Sequence, residues 1–213
     1  TERNREVLGN EKNKDITDKP KALVLASVAS MIDQFNMQNI EILLDLGYDV
    51  DVVCNCKDGN TISDVRIEDM IRRLANKGVS VLHVPIPRKI SNVRSIILSL
   101  KQVKKLCDKN RYKLLHCHSP IGSVVARLAA KDAREKYGTK VIYTAHGFHF
   151  YKGAPKQNWA IFYPIEKLCS YLTDVLITIN REDYAFAQKH MNAGQIKYVP
   201  GVGIDQEKFR LED

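Results

Sequence analysis

The sequence lacks a disulfide-framework pattern of cysteines and has no long apolar segment. Its five cysteines are an odd number without the spacing of a disulfide framework, which is typical of reduced thiols in a reducing compartment. No stretch approaches about 18 uninterrupted apolar residues, and the N-terminus lacks a basic segment followed by an apolar one. These absences argue against a disulfide-rich secreted domain and against a membrane-spanning segment. They predict a cytoplasmic protein.

The length and composition are compatible with one folded α/β domain. Hydrophobic residues make up 44% of the 213 residues and charged residues 27%, which excludes composition-driven disorder and a fibrous repeat. The formal net charge of +8 permits an anionic partner such as a nucleotide, a nucleic acid or an acidic membrane surface. Because solvated faces often carry such a surplus, the charge alone identifies no partner.

The order of apolar segments predicts a doubly wound, mostly parallel, seven-stranded Rossmann-like sheet over residues 20–205. Residues 1–19 are charged and aperiodic, and we expect a polar arm without a predicted role. From residue 20, short β-branched runs alternate with segments of helical period. The predicted strands are 21–28, 49–54, 79–84, 113–118, 140–145, 174–179 and 196–199, and the predicted helices begin near Asp33, Asp64, Asn92, Pro120, Asn158 and Arg181. Ligands of such sheets bind at the carboxyl ends of the strands.

Four of the six histidines stand at two of these strand ends. His116 and His118 close the fourth strand, and alternation along a strand places them on one face. His146 and His149 follow the fifth strand. Ser119 and Pro120 are predicted as the N-cap and first turn of the next helix.

Two functional hypotheses compete for this histidine cluster. His116, His118, His146 and His149 could hold zinc in a metal-dependent hydrolase, although no carboxylate motif follows at a later strand end. Alternatively, the imidazoles could hydrogen-bond a polyhydroxy or phosphorylated ligand beside helix N-termini. One or two of them could also merely donate to backbone carbonyls in a packed loop.

Two loops and one helix carry weaker signals. Ser27, Ser30 and Asp33 follow the first strand, where small hydroxylated residues suit a ligand loop but also serve as ordinary helix caps. The aromatic and basic loop 148–158 could grip an acceptor, touch a membrane surface or pack locally. In the helix after this loop, Glu166 could pair with a neighbouring strand end or lie on the solvent-exposed side of the helix.

Seven segments carry a recognisable pattern, and one of them contains the Thr-Ala-His-Gly motif at 144–147. The segments are 116–122, 127–130, 143–150, 158–159, 163–167, 174–183 and 199–205. Together they resemble the N-terminal half of bacterial retaining glycosyltransferases of the GT-B fold, in particular those that build capsular and exopolysaccharide repeat units. The likeness extends from about residue 21 to residue 209.

The resemblance implies a hexosyltransferase of two domains. This half would bind the acceptor, and a C-terminal Rossmann-like domain would hold most of the nucleotide-sugar. The donor-site signatures of the family, a basic pair and two glutamates eight positions apart, have no counterpart after residue 205. We therefore expect residues 206–213 to begin an interdomain linker, the donor-binding domain to be absent, and this chain alone to be close to inactive.

The resemblance also implies roles for individual residues. His146 corresponds to the catalytic position beside the transferred sugar. The residues implied in acceptor or substrate binding are Ser27, Ser30, Asp33, His118, Ser119, Gly147 and His149, and those on the interdomain or donor side are Gly201, Gly203 and Asp205. Many relatives have a Gly-Gly pair or a histidine where Ala29, Ser30 and Met31 stand, which leaves the acceptor contacts open.

The implied reaction is transfer with retention, in which the leaving diphosphate helps to deprotonate the acceptor hydroxyl. No carboxylate base, bound metal or other cofactor is expected. The implied partners are a nucleotide-sugar, preferably a UDP-sugar, and a saccharide or lipid-linked acceptor. The basic net charge and loop 148–158 suit a lipid-linked acceptor at the inner face of the plasma membrane, so peripheral contact with an anionic membrane surface is a hypothesis. No nucleic-acid partner is expected. The alternatives are the metal-dependent hydrolase and a non-catalytic binding subunit that works with a donor-binding partner chain. The oligomeric state stays open.

Overall fold

A computed structural model describes residues 19–201 as one seven-stranded parallel sheet with helices on both faces. The strands are β1 (Lys21–Val28), β2 (Asp49–Asn55), β3 (Ser80–His83), β4 (Leu114–His118), β5 (Lys140–Ala145), β6 (Val175–Thr178) and β7 (Gln195–Tyr198). The helices are α1 (Ala29–Phe35), α2 (Met37–Asp45), α3 (Asp64–Asn76), α4 (Val93–Asn110), α5 (Pro120–Ala129), α6 (Lys131–Tyr137), α7 (Lys156–Ser170) and α8 (Arg181–His190). The predicted fold class is confirmed.

The strand order is β3-β2-β1-β4-β5-β6-β7, and every adjacent pair is parallel. The chain leaves β1 toward β2 and β3, then returns to place β4 on the other side of β1. This reversal creates a topological switch point between β1 and β4, where doubly wound sheets bind their ligands.

The core consists of two apolar clusters, one on each face of the sheet. Successive residues of β1 alternate between them: Val24 joins the cluster beneath α1, α2 and α3, and Leu25 joins the cluster beneath α4, α5 and α8. Residues 22–26 of β1 are all fully buried. A central parallel strand is covered on both sides, which explains its continuous apolar sequence.

The structure corrects the helices predicted after β1, β4 and β5. The first helix begins at Ala29 rather than near Asp33, and a second helix follows because buried Asn36 interrupts the first and donates to the Met31 carbonyl at 2.9 Å. An additional helix, α6, follows α5 directly after Ala130 without a glycine or proline between them. Helix α7 begins at Lys156, two residues before the predicted Asn158.

The remaining predictions about the chain ends are not tested by this structure. The polar arm, Gly203, Asp205 and the expected linker over 206–213 lie wholly or almost wholly outside the described residues. Within residues 19–201, none of the helices is both long enough and apolar enough to cross a membrane.

Candidate functional site

Two cavities lie near the carboxyl ends of β1, β4 and β5, at the switch point of the sheet. We call the first the serine cavity; it has a volume of about 350 Å³ and is lined by Ser27, Ser30, Arg88, Ser119 and His149 among others. We call the second the histidine cavity; it has a volume of about 390 Å³ and is lined by residues that include His116, His118, Thr144, His146 and Gly201. The predicted site residues of the described chain are therefore divided between two neighbouring cavities, except Asp33 and Gly147, which line neither.

A serine pair joins the ends of β1 and β4. The Ser119 hydroxyl accepts from the Ser27 backbone N–H at 3.0 Å and donates to the His118 carbonyl at 2.5 Å. Because that bond uses the single Ser119 proton, the Ser27 hydroxyl is the donor in the 2.8 Å contact between the two hydroxyls. The Ser27 hydroxyl in turn accepts from the Gly122 N–H at 3.0 Å. Both side chains are buried.

Ser119 occupies the predicted N-cap position of α5, but its side chain makes no capping hydrogen bond. Its hydroxyl is directed instead toward β1 and the His118 carbonyl. The backbone at Ser119 has φ 62° and ψ 149°, a conformation that residues other than glycine rarely adopt. The prediction was correct about the position of Ser119 and wrong about its capping contact.

Gly122, which was not among the predicted site residues, completes this junction. A Cβ atom at Gly122 would lie 2.9 Å from the Ser27 backbone nitrogen and 2.8 Å from the Ser119 hydroxyl oxygen. Only glycine therefore allows the first turn of α5 to approach the end of β1 this closely. The three-residue step from Ser119 to Gly122, which is one turn of helix, is the sequence signal for this contact.

Three of the four predicted histidines come together on neighbouring strands. His116 and His118 share one face of β4, as predicted, with ring centroids 4.2 Å apart. The Nε2 atom of His116 lies 2.9 Å from the Thr144 hydroxyl on β5, and Nδ1 of His118 lies 3.3 Å from Nε2 of His146. Thr144 is the strand partner of His118, so the β4–β5 register brings the two motifs together.

Burial keeps these imidazoles neutral. Burial, with a smaller effect of His146, lowers the pKa of His116 to about 4. Burial and the two neighbouring imidazoles lower the pKa of His118 well below its ordinary value, and burial lowers the pKa of His146 as well. Within the described chain the buried Nε2 atom of His118 has no hydrogen-bond partner. Neutral imidazoles both donate and accept, which suits the hydroxyls of a sugar.

His149 is separated from the other three histidines. It lines the serine cavity, and its ring lies 4.6 Å from that of Phe162. Among residues 19–201 no three His, Cys, Asp or Glu side chains are grouped to hold a metal ion. The hypothesis of a four-histidine zinc centre therefore receives no support from the geometry.

Asp33 does not line either cavity, in contrast to the predicted role in substrate binding. Its carboxylate is 2% exposed and accepts from Arg66 Nε at 2.7 Å and from an Arg73 guanidinium nitrogen at 2.6 Å. The reason is the earlier start of α1, which places Asp33 inside the helix and turned toward α3. Asp33 is thus an anchor between two helices.

Arg88, which was not among the predicted site residues, is the charged side chain of the serine cavity. It lies in the loop between β3 and α4 and donates to the Gly59 carbonyl at 3.0 Å. A second loop, which contains Asn60, closes the same side of the serine cavity. The Ser30 N–H donates to the Asn60 side-chain oxygen at 2.9 Å. A lone arginine in a loop carries no motif, so only the tertiary structure reveals its place.

The aromatic loop after β5 packs mainly into the protein. Phe148 and Phe150 are buried and stacked at 4.9 Å, and the Phe148 N–H donates to the Asp183 carboxylate at 3.0 Å. Phe150 also contacts Trp159 of α7 at 5.5 Å. These contacts support the local-packing interpretation and leave Tyr151, half exposed, at the surface. They also position Gly147, at φ 142°, between His146 and the loop.

A buried ion pair connects α7 to α5 and β5. Arg127 donates to the Glu166 carboxylate at 2.9 Å, and the Tyr143 hydroxyl donates to the other carboxylate oxygen at 3.3 Å. The Arg127 guanidinium lies 4.3 Å from the Tyr143 ring centroid. Although burial by itself lowers the pKa of Arg127, the Glu166 carboxylate raises that pKa above its ordinary value. Glu166 therefore pairs inside the protein, the first of the two predicted possibilities.

Comparison with known proteins identifies similar sequences and folds. The model of the family described as glycosyl transferase 4-like matches residues 21–180. Over 128 residues the chain is 48% identical to EpsD of Bacillus subtilis (strain 168), a protein assigned to the glycosyltransferases. That match covers 60% of this chain and 33% of EpsD.

Two further similar proteins extend over more of the chain. The chain is 27% identical over 188 residues to UDP-Gal:alpha-D-GlcNAc-diphosphoundecaprenol alpha-1,3-galactosyltransferase of Escherichia coli, a match that covers 87% of this chain and 44% of that enzyme. The crystal structure of Anabaena Alr3699/HepE in complex with UDP shares the fold with a TM-score of 0.56 at 15% identity, covering 90% of this chain and 46% of HepE. This chain thus spans between a third and a half of the length of these similar proteins.

Proposed function

Because this chain belongs to the glycosyl transferase 4-like family, we propose that it forms the acceptor-binding half of a retaining glycosyltransferase. The enzyme would transfer a sugar from a nucleotide-sugar to a lipid-linked saccharide during exopolysaccharide or capsule synthesis. The observation that carries this proposal is the meeting of the His118–His146 pair and the Ser27–Ser119 junction at the switch point of the sheet. These groups lie where such a sheet binds its ligands.

We assign the histidine cavity to the transferred sugar of the donor. Its three neutral imidazoles can exchange hydrogen bonds with sugar hydroxyls without adding positive charge. Gly201, at the end of the described chain, lines this cavity and donates to the Ile179 carbonyl at 3.1 Å. A donor-binding domain would then supply most contacts to the nucleotide. The name of the Escherichia coli relative, which includes UDP-Gal, supports a UDP-sugar as the donor.

We assign the serine cavity to the acceptor. It combines hydroxyls, the Arg88 guanidinium and the His149 imidazole, so it offers donors for both hydroxyls and phosphate oxygens. The name of the Escherichia coli relative also includes a diphosphoundecaprenol-linked sugar, which supports a lipid diphosphate as the acceptor of this chain. His118 and Ser119 are consecutive residues that line different cavities, so they lie where donor and acceptor would meet.

In the proposed reaction, the bond between the anomeric carbon and the donor diphosphate breaks while a bond to the acceptor hydroxyl forms on the same face. The acceptor proton passes to the departing diphosphate. His146 holds a hydroxyl of the transferred sugar, and the rest of the site orients the reactants. We propose that this chemistry uses no resident metal, since the leaving group itself accepts the proton.

The test is a transfer assay with the complete natural protein that contains this chain. We expect radiolabel from a UDP-sugar to enter a lipid-diphosphate saccharide, with the α configuration of the donor retained in the product by NMR. A chelator is expected to leave the rate unchanged. Absence of transfer from every nucleotide-sugar tested, or a stoichiometric zinc whose removal abolishes activity, would overturn the proposal.

A further inference from the structure

An apolar groove with a volume of about 380 Å³ lies on the outer side of α4, α5 and α7. We define this apolar groove by Val93 and Ile96 of α4, Val124 and Leu128 of α5, and Ile165 and Leu168 of α7. Among the described residues that line it, Glu166 is the only charged one, and its carboxylate is engaged by Arg127 and Tyr143. The groove therefore offers hydrocarbon surface and no free charge.

Large apolar side chains along this groove are exposed to solvent. The exposed fractions are 56% for Val93, 44% for Leu128 and 69% for Leu168. Three helices contribute to this surface, so it is not an isolated leucine of the kind that most protein surfaces carry. A continuous apolar surface of this kind usually marks a binding site.

The apolar groove is continuous with the serine cavity. Ile90, Pro120, Ile121 and Phe162 line both. A ligand could therefore extend from a polar compartment that contains Arg88 into an apolar one without leaving the protein surface. This arrangement matches an amphiphile with an anionic head and a hydrocarbon tail, and it matches neither a free sugar nor a peptide of mixed polarity.

We infer that the apolar groove binds the isoprenoid chain of the acceptor while Arg88 faces its diphosphate. This inference rests on the proposed function, because that function places the acceptor head in the serine cavity. Each buried methylene contributes about fourfold to affinity, so even three buried carbons of the tail give roughly 60-fold. The tail would thus hold the acceptor while its sugar reaches the end of β4.

The inference is tested by calorimetry of this chain with inorganic diphosphate, geranyl diphosphate and farnesyl diphosphate in detergent-free buffer. We expect affinity to increase with tail length. Leu168→Gln should weaken farnesyl diphosphate binding at least about fivefold, Leu128→Gln should add to that loss, and neither should change diphosphate binding. Arg88→Gln should weaken all three probes.

A matched control uses Leu46, which is 67% exposed and lies directly after α2, away from the groove. Leu46→Gln removes an equally exposed leucine and should leave all three affinities unchanged. Equal effects of Leu46→Gln and Leu168→Gln, or affinities independent of tail length, would overturn the inference.

Two other occupants of the groove have distinct signatures. A bilayer contact would appear as binding to anionic phospholipid vesicles that Leu168→Gln abolishes, without any binding of free farnesyl diphosphate. Self-association would appear in sedimentation equilibrium as a dimer that Leu168→Gln dissociates. Either result would overturn the inference.

The proposed function can fail separately. If the complete natural protein transfers sugar to an isoprenoid acceptor with a KM that Leu168→Gln does not raise, the inference is wrong and the proposed function stands. If binding grows with tail length but no acceptor receives sugar, the proposed function is wrong and the groove remains a lipid-binding site.

Discussion

The Nδ1 atom of His118 lies 3.3 Å from the Nε2 atom of His146, across the pairing of β4 with β5. This contact joins two motifs that are 28 residues apart in the chain. It fixes the orientation of His146 within the histidine cavity, while Phe35 covers the imidazole at 5.8 Å. A neutral pair of this kind positions a hydrogen-bonding group without adding a charge.

His146→Ala tests the proposed catalytic position. We expect kcat of the complete natural protein to fall at least about 100-fold, because a hydrogen bond to the transferred sugar is lost at the reacting centre. The circular dichroism spectrum and melting temperature should change little, since His146 is only partly buried. His190→Ala, at an exposed position on α8, serves as the control. Near-normal turnover of His146→Ala would remove the assignment.

Acid should destabilise the protein through His116. Its folded pKa of about 4 lies below the unfolded value near 6.5, so the unfolded state binds more protons below pH 6.5. The contribution of neutral His116 to the free energy of unfolding is therefore fully present above pH 6.5. It decreases as the pH falls from 6.5 toward 4. At pH 5 the loss from His116 alone is about 2 kcal/mol.

Urea unfolding at pH 7.5 and pH 5 measures this loss. His116→Gln should reduce the difference between the two pH values by about 2 kcal/mol, whereas His190→Gln should leave the difference as in the wild type. An unchanged difference in His116→Gln would show that His116 does not cause the acid sensitivity.

Ser119 should tolerate glycine better than alanine. Both variants lose the hydrogen bonds to Ser27 and His118, but only glycine relieves the backbone at φ 62°. We expect Ser119→Gly to be about 1 kcal/mol more stable than Ser119→Ala in urea unfolding. Ser123, inside α5, is the matched site with the opposite order, because alanine is the better helix former there. The same order at both sites would contradict strain at Ser119.

Gly122→Ala should destabilise the protein although Gly122 lies in a helix. An ordinary helical position gains about 1 kcal/mol from this change. Here the added methyl group meets the Ser27 backbone nitrogen at 2.9 Å, and we expect a net loss of about 1–3 kcal/mol by urea unfolding. A gain in stability would show that β1 and α5 can separate without cost.

The buried pair of Arg127 and Glu166 should behave as a coupled unit. Arg127→Met leaves the Glu166 carboxylate buried without its cation, and we expect a loss of about 3–5 kcal/mol. The double variant Arg127→Met with Glu166→Met should be less destabilised than the sum of the two single variants, by at least about 2 kcal/mol. Additive losses in urea unfolding would contradict the coupling.

Local patterns in the amino-acid sequence were sufficient to predict the sheet, most element boundaries and the strand ends that carry the histidines. These features depend on local periodicity and on residues with a fixed conformational role, such as Gly47 and Gly78, which follow α2 and α3 at φ 84° and 78°. The segments shared with the family are also local in the chain.

The division of those strand ends between the two cavities depends on tertiary contacts. The register of β4 and β5 brought His116, His118 and His146 together, and the turn of the chain after His146 carried His149 into the other cavity. Arg88 and Gly122 belong to the site through contacts that no local sequence pattern predicts. Asp33 was predicted as a site residue but lies outside both cavities, because α1 begins earlier than predicted. Periodicity fixes which face a residue occupies, but register and loop packing fix its neighbours, and those neighbours decide its chemistry.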